Sequence, residues 1–107
     1  MKLNPSPFEM IKSGKKTIEL RLYDDKRQLI RSGDTIVFTN TSTGEKLEKT
    51  VLQLHLYDSF ADLYKSLPLL KCGYTEDDVK YADPSDMEKY YSREEQAARG
   101  VVGIELG

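Results

Sequence analysis

The chain has one cysteine, one histidine and no tryptophan among its 107 residues. The lone cysteine, Cys72, excludes an internal disulfide and fits a reducing compartment. Catalysis by a thiol needs a neighbouring base, and the one histidine, His55, lies in a different predicted element. A Cys/His metal cluster cannot be assembled from one residue of each kind. The sequence therefore indicates no metal site and no cofactor.

Long apolar runs are also missing. The longest apolar run covers only a few residues, so the sequence contains no candidate transmembrane helix. The segment from Met1 to Pro5 has no apolar core typical of a secretory signal, and we expect a cytoplasmic protein without a membrane partner. Hydrophobic residues make up 38% of the chain and charged residues 32%, which is typical of a soluble globular protein. The length predicts one domain over residues 1–107.

A strong positive charge is absent as well. The formal net charge is −2, which argues against a broad electrostatic surface for duplex nucleic acid. Residues 1–50 nevertheless carry more basic than acidic side chains, whereas residues 51–107 carry more acidic ones. This asymmetry favours a small local pocket for a nucleotide over a long groove.

The segment from Gly14 to Leu22 is the most informative part of the sequence. Polar and apolar residues mostly alternate along it, which predicts a strand with Glu19 and Arg21 on the same face. Lys16 follows a glycine at the start of the strand, where the chain can still turn toward them. A carboxylate beside a guanidinium offers an acceptor and several donors, as recognition of a nucleobase or a phosphate requires. We predict one partly buried cleft; the alternative is an ordinary surface ion pair, which contributes little.

Several segments, in this order, resemble the ASCH domain family. They are Gly14-x-Lys16-x-x-Glu19-x-Arg21, Lys26-Arg27 and Gly33-Asp34-x-Ile36-x-Phe38, followed by Tyr90-Tyr91-Ser92-x-Glu94-Glu95-Gln96 and Gly100-Val101-Val102-Gly103-Ile104. The last two segments are similar to the end of small bacterial members, and the resemblance spans essentially the whole chain. It implies a PUA-like fold.

The resemblance leaves more than one function open. Within the family, one group of small bacterial proteins hydrolyses the amide of N4-acetylcytidine, and others bind or cleave RNA. The amidohydrolases resemble Gly-x-Lys-Thr-Ile-Thr-x-Arg here, with the lysine and the second threonine catalytic. Lys16 and Thr17 match this motif, but Glu19 replaces the catalytic threonine, and no later glutamate matches the third catalytic residue unambiguously. The main interpretation is a domain that binds single-stranded RNA or a modified nucleoside.

Two alternatives remain at this point. One is a hydrolase of an acylated nucleoside or a ribonuclease, in which Lys16 and Glu19 are the catalytic residues and Glu19 acts as a general base. The other is an interaction module without a nucleotide ligand. The candidate ligand-binding residues are Lys16, Thr17, Glu19, Arg21, Tyr23, Arg27 and Tyr91.

Each candidate has an expected role. Arg21 should bind a phosphate or a base carbonyl, and Lys16 should supply a mobile positive charge. Glu19 should accept from an exocyclic amine or orient Arg21. Tyr23 and Tyr91 could stack on a base, whereas Tyr74 and Tyr81 are interpreted as core packing.

The element pattern predicts an α+β fold, because strands fill the first half, helices follow and one strand returns at the end. We expect a small PUA-like curled sheet or barrel of about five strands flanked by short helices. The predicted strands are 16–22, 35–39, 46–57 and 101–106. The predicted helices are 8–12, 60–66, 76–81, 86–91 and 93–99, with a helical turn over 24–30. Capping-box patterns predict helix starts at Ser59, Thr75, Ser85 and Ser92.

Overall fold

The computed structural model describes all residues from 1 to 107. The helices and strands, in chain order, are β1 (Lys2–Leu3), α1 (Pro5–Lys12), β2 (Ile18–Leu22), β3 (Thr35–Asn40), β4 (Lys46–Tyr57), α2 (Phe60–Ser66), α3 (Arg93–Arg99) and β5 (Val101–Leu106). Short 3-10 turns cover Arg27–Leu29, Leu69–Lys71, Val79–Tyr81 and Pro84–Lys89. No helix is long and apolar enough to cross a membrane.

The five strands form one curled sheet in the order β1-β3-β4-β5-β2. The pair of β1 and β3 is parallel, and the other three pairs are antiparallel. A register shift between Val51 and Gln53 interrupts the pairing of β4 with β5, and such irregularities bend a strand. This sheet with its short helices confirms the predicted α+β fold.

Periodicity located most of the regular elements. The bounds of β4, β5, α2 and α3 agree with the predicted ranges. β2 begins at Ile18 rather than at residue 16, because the amide of Thr17 donates to the carbonyl of Lys71 instead of to the sheet. Helix α1 begins at Pro5 rather than at residue 8, since proline is pre-organised for the first helical turn. The two-residue strand β1 was not predicted.

The short helices predicted over 76–81 and 86–91 are 3-10 turns with different bounds, Val79–Tyr81 and Pro84–Lys89. Ser59 and Ser92 cap their helices as expected, with side chains that accept from the amides of Asp62 and Glu95. Asp83 rather than Ser85 caps the turn that begins at Pro84, and the Thr75 side chain caps no helix. The segment between α2 and α3 therefore consists of short 3-10 turns.

Two apolar clusters hold the sheet against the helices. The first contains nine buried residues around Phe38 and includes Ile36, as predicted, together with Phe8 and Ile11 of α1. The second contains six buried residues, among them Ile18 and Leu20 of β2 and Phe60 and Leu63 of α2. Glu19 lies between Ile18 and Leu20 in sequence and is itself buried. A charged side chain of β2 is therefore buried in the interior of the protein.

Candidate functional site

The side chains of Lys16, Glu19 and Arg21 meet in one cluster, which we call the charge cluster. The Nζ atom of Lys16 lies 2.7 Å from Oε1 of Glu19. On the other side, Nη2 and Nε of Arg21 lie 3.1 Å and 3.3 Å from Oε2 of the same carboxylate. The exposed fractions of the three side chains are 11%, 4% and 16%, respectively. The charge cluster is therefore mostly shielded from water.

Local backbone geometry explains how the cluster forms. Glu19 and Arg21 lie two residues apart on β2, so their side chains leave the same face of the sheet. Lys16 precedes the strand, and its amide donates to the carbonyl of Met10 at the end of α1. The aliphatic part of Lys16 passes Gly73, where an added Cβ would lie 3.4 Å from its Cδ. Gly73 also has a φ of +110°, which disfavours any other residue there.

Glu19 is fully engaged within the protein. Oε1 accepts from the Leu20 amide at 3.2 Å in addition to Lys16, and Oε2 accepts twice from Arg21. Burial alone would raise the pKa of Glu19, but the charges of Lys16 and Arg21 and the hydrogen bonds from both hold it below its ordinary value. Glu19 is thus an ionised carboxylate that orients the two cations.

The two cations keep donors available for a ligand. A lysine ammonium has three N–H donors and a guanidinium has five. Lys16 uses one of its donors on Glu19. Arg21 uses Nε on Glu19, and Nη2 on Glu19 and on the Lys2 carbonyl at 3.1 Å, while Nη1 has no partner in the protein. The cluster carries two positive groups and one negative group, and it presents only donors to its surroundings.

The charge cluster lies at the base of a cleft of about 550 Å³. One side of the cleft is formed by Lys2, Leu3, Asn4 and Pro7. Tyr64 of α2 and residues of the segment between α2 and α3 form another part of its lining, which we call the helical side. The cleft therefore lies where the sheet meets the helical half of the chain.

Four tyrosines line this cleft, of which only Tyr91 was predicted as a ligand-binding residue. Tyr91 stacks on Phe60 with ring centroids 6.1 Å apart, and Tyr90 beside it is 59% exposed. The hydroxyls of Tyr64 and Tyr74 are 2.7 Å apart, although Tyr74 was interpreted as core packing. Sequence reasoning also missed Asp86. The dipeptide Asp83-Pro84, a typical helix start, is the signal that could have placed it correctly.

Three other predicted ligand-binding residues do not line the cleft. The backbone of Thr17 is held between Lys71 and Leu106. Tyr23 packs against the first apolar cluster, and Arg27 is paired with Asp24 at 2.8 Å. Their role in ligand binding stays a prediction.

The cysteine lines the cleft, whereas the histidine does not. Cys72 lines the cleft but is only 5% exposed, and burial raises the pKa of its thiol to about 11. The thiol is therefore protonated at neutral pH and is a poor nucleophile. Nε2 of His55 lies 3.0 Å from Oε1 of Glu105, in the pairing of β4 with β5 and away from the cleft.

Comparison with known proteins gives a consistent result. The family model described as "ASCH domain" matches residues 1–107. The crystal structure of the hypothetical protein PH0355 is similar, with 34% identity and a TM-score of 0.79, over 99% of this chain and 94% of that one. The solution structure of PF0455 from Pyrococcus furiosus is similar too, with 30% identity and a TM-score of 0.67, over 99% of this chain and 96% of the other. No curated protein matches the chain.

Proposed function

Because the chain belongs to the ASCH domain family, we propose that its cleft binds single-stranded RNA or a modified nucleoside. Family membership supports a general RNA-related role for this PUA-like fold, and the cleft supplies the binding chemistry. The observation that carries the proposal is the shielded cluster of Lys16, Glu19 and Arg21 at its base. The proposal includes a role in RNA metabolism, a cytoplasmic location and kinship with small bacterial members.

The charge cluster suits a phosphate oxygen or a base carbonyl. Its free N–H groups on Lys16 and on Nη1 of Arg21 are donors, and both belong to charged groups. Hydrogen bonds from charged donors are stronger than neutral ones, especially where water is partly excluded. Glu19 holds both donors in place before a ligand arrives, so little ordering is required on binding.

The size and the aromatic residues of the cleft also suit a nucleoside. Small-molecule sites typically enclose about 300–1,000 Å³, which includes the volume of this cleft. Tyr90 and Tyr91 lie along it with ring centroids 6.5 Å apart. The exposed ring of Tyr90 offers a face on which a base can stack.

Binding fits this geometry better than hydrolysis does. A general base needs a free lone pair, whereas both oxygens of Glu19 are occupied and its pKa is lowered by Lys16 and Arg21 against the opposing effect of burial. The Cys72 thiol is protonated at neutral pH because burial raises its pKa to about 11. Neither of these two groups is prepared for attack on an amide or a phosphodiester.

Replacing Lys16 with methionine is expected to weaken binding of a short single-stranded RNA by about 10- to 100-fold, the effect of losing a hydrogen bond from a charged donor. Methionine preserves most of the aliphatic contact with Gly73. The affinity can be measured by fluorescence anisotropy with a labelled oligonucleotide, at a temperature where circular dichroism shows that the variant is folded.

The matched control for this experiment is Lys15→Met. Lys15 is the preceding residue, is exposed and does not line the cleft. It loses the same charge, so its effect measures the non-specific part of the attraction. Equal affinities of the two variants would contradict the proposal. Release of acetate from N4-acetylcytidine by the purified protein would support the hydrolase instead.

A further inference from the structure

A chain of hydrogen bonds runs along the helical side of the cleft. The hydroxyl of Tyr74 donates to Oδ2 of Asp86 at 2.6 Å, and the hydroxyls of Tyr64 and Tyr74 are 2.7 Å apart. A carboxylate only accepts, so Tyr74 commits its single proton to Asp86. Tyr64 must then donate to the oxygen of Tyr74. The direction of the chain is fixed from Tyr64 through Tyr74 to Asp86.

The protons of this chain are retained at neutral pH. Burial raises the pKa of both tyrosines, and the hydrogen bond to Asp86 raises that of Tyr74 further. Asp86 is held in place by a second contact, since its Oδ2 also accepts from the amide of Asp83 at 3.2 Å. The chain is thus a fixed part of the cleft.

After these bonds are formed, three residues on the helical side of the cleft present acceptors, while Lys89 on the same side carries donors. The oxygen of Tyr64 retains unused lone pairs, and Oδ1 of Asp86 has no partner in the protein. Asp78, which also lines the cleft, uses Oδ1 on the Thr75 amide and keeps Oδ2 free. We call these three residues the acceptor wall. The acceptor wall lines the same cleft as the donors of the charge cluster, so the cleft carries donors and acceptors on different residues.

We infer that the acceptor wall selects bases that carry an exocyclic amine over analogues that carry a carbonyl at the same position. This inference rests on the proposed function, because it assigns the base specificity of the same cleft. An amine donates to the oxygen of Tyr64, beside the carboxylates of Asp78 and Asp86, without disturbing the hydrogen-bond chain. A carbonyl would oppose these oxygens, or it would force Tyr64 to turn its proton away from Tyr74.

Two pairs of nucleotides test the inference: AMP against IMP, and CMP against UMP. Within each pair an exocyclic amine is replaced by a carbonyl and the adjacent ring nitrogen gains a proton, so the variants below decide whether the exocyclic group causes the difference. The wild-type protein should bind each amine-bearing nucleotide about tenfold more tightly, the equivalent of about one hydrogen bond. Isothermal titration calorimetry gives the four dissociation constants.

Two variants test whether the hydrogen bonds from Tyr64 through Tyr74 to Asp86 cause the preference for an amine. Tyr64→Phe removes the hydroxyl oxygen that accepts from the amine. The preference for the amine should therefore fall below about threefold, mainly through weaker binding of AMP and CMP. Tyr74→Phe leaves Tyr64 with a proton that has no partner, so Tyr64 can donate to a carbonyl and the preference should shrink or invert. Tyr81→Phe is the control, since Tyr81 is 74% exposed and lies outside the cleft.

The outcomes separate the two proposals. If nucleotides bind in a manner that depends on Lys16, but without a preference or with one that both variants retain, the inference is wrong and the proposed function stands. If no nucleotide or RNA binds, the proposed function fails and the inference fails with it. A preference that is lost in Tyr64→Phe, altered in Tyr74→Phe and kept in Tyr81→Phe supports both.

Discussion

Replacing Phe38 with alanine is expected to lower the free energy of unfolding by about 3–5 kcal/mol. Phe38 is fully buried at the centre of the first apolar cluster, where β3 faces α1 and the neighbouring strands. The truncation removes a ring and leaves a cavity that the surrounding strands cannot close. Domains of this size have total stabilities of about 5–15 kcal/mol, so the variant should be close to unfolding at room temperature. Urea denaturation followed by circular dichroism measures the loss.

Val37→Ala is the control for this prediction. Val37 is the preceding residue of β3, but its side chain is 39% exposed. Its truncation should cost less than about 1 kcal/mol, the full span of strand propensities. Similar losses for Phe38→Ala and Val37→Ala would contradict the placement of the core on one face of β3.

Replacing Glu19 with glutamine is expected to destabilise the protein by about 3–5 kcal/mol at neutral pH, the usual effect of removing one partner from a buried ion pair. The substitution keeps the shape of the side chain but removes its negative charge. Lys16 and Arg21 would then be two cations close together with little water around them. The free energy of unfolding in urea measures this effect, and the affinity for RNA should fall with it.

The effect of Glu19→Gln should also depend on pH. Burial alone would raise the pKa of Glu19. The attraction to Lys16 and Arg21 outweighs burial and holds the pKa in the folded protein below its ordinary value of 4.5. The unfolded chain therefore binds a proton at Glu19 more readily than the folded protein does. The stabilisation by ionised Glu19 is complete at pH values above its ordinary pKa of 4.5. It is lost as the pH falls through the lowered pKa of the folded state. The difference in stability between wild type and variant should thus be full at pH 7 and shrink in acid.

Glu48→Gln is the matched control, because Glu48 is exposed on β4 and has no ion-pair partner. Its stability should follow that of the wild type within about 0.5 kcal/mol at every pH. A Glu19→Gln variant as stable as the wild type at neutral pH would show that the charge cluster does not stabilise the fold.

The sequence was sufficient to predict the elements whose pattern is local. Alternation through Leu52, Leu54 and Leu56 indicates β4, and Gly100 separates α3 from β5, so both strands were placed correctly. The pairing of Glu19 with Arg21 followed from their spacing of two residues on one strand. The position of Lys16 beside them was suggested by Gly14 and is consistent with the observed turn.

The helical side of the cleft could not be predicted in the same way. Residues 67–91 contain no long periodic segment, and their path depends on tertiary contacts such as the bond from Tyr74 to Asp86. Tyr64 lies on a correctly predicted helix, but nothing local shows that its hydroxyl meets Tyr74 ten residues later. The burial of Glu19 is also a tertiary property, because an alternating strand gives no indication of what covers its polar face.

We propose that the cleft lined by the charge cluster is the ligand-binding site. Titration of isotopically labelled protein with a short single-stranded RNA, followed by NMR chemical shifts, tests it most directly. We expect the largest shifts at Lys16, Arg21 and Gly73 and on the rings of Tyr90 and Tyr91. Shifts concentrated around the exposed Leu52 and Leu56 of β4, or no shifts at millimolar RNA, would contradict it.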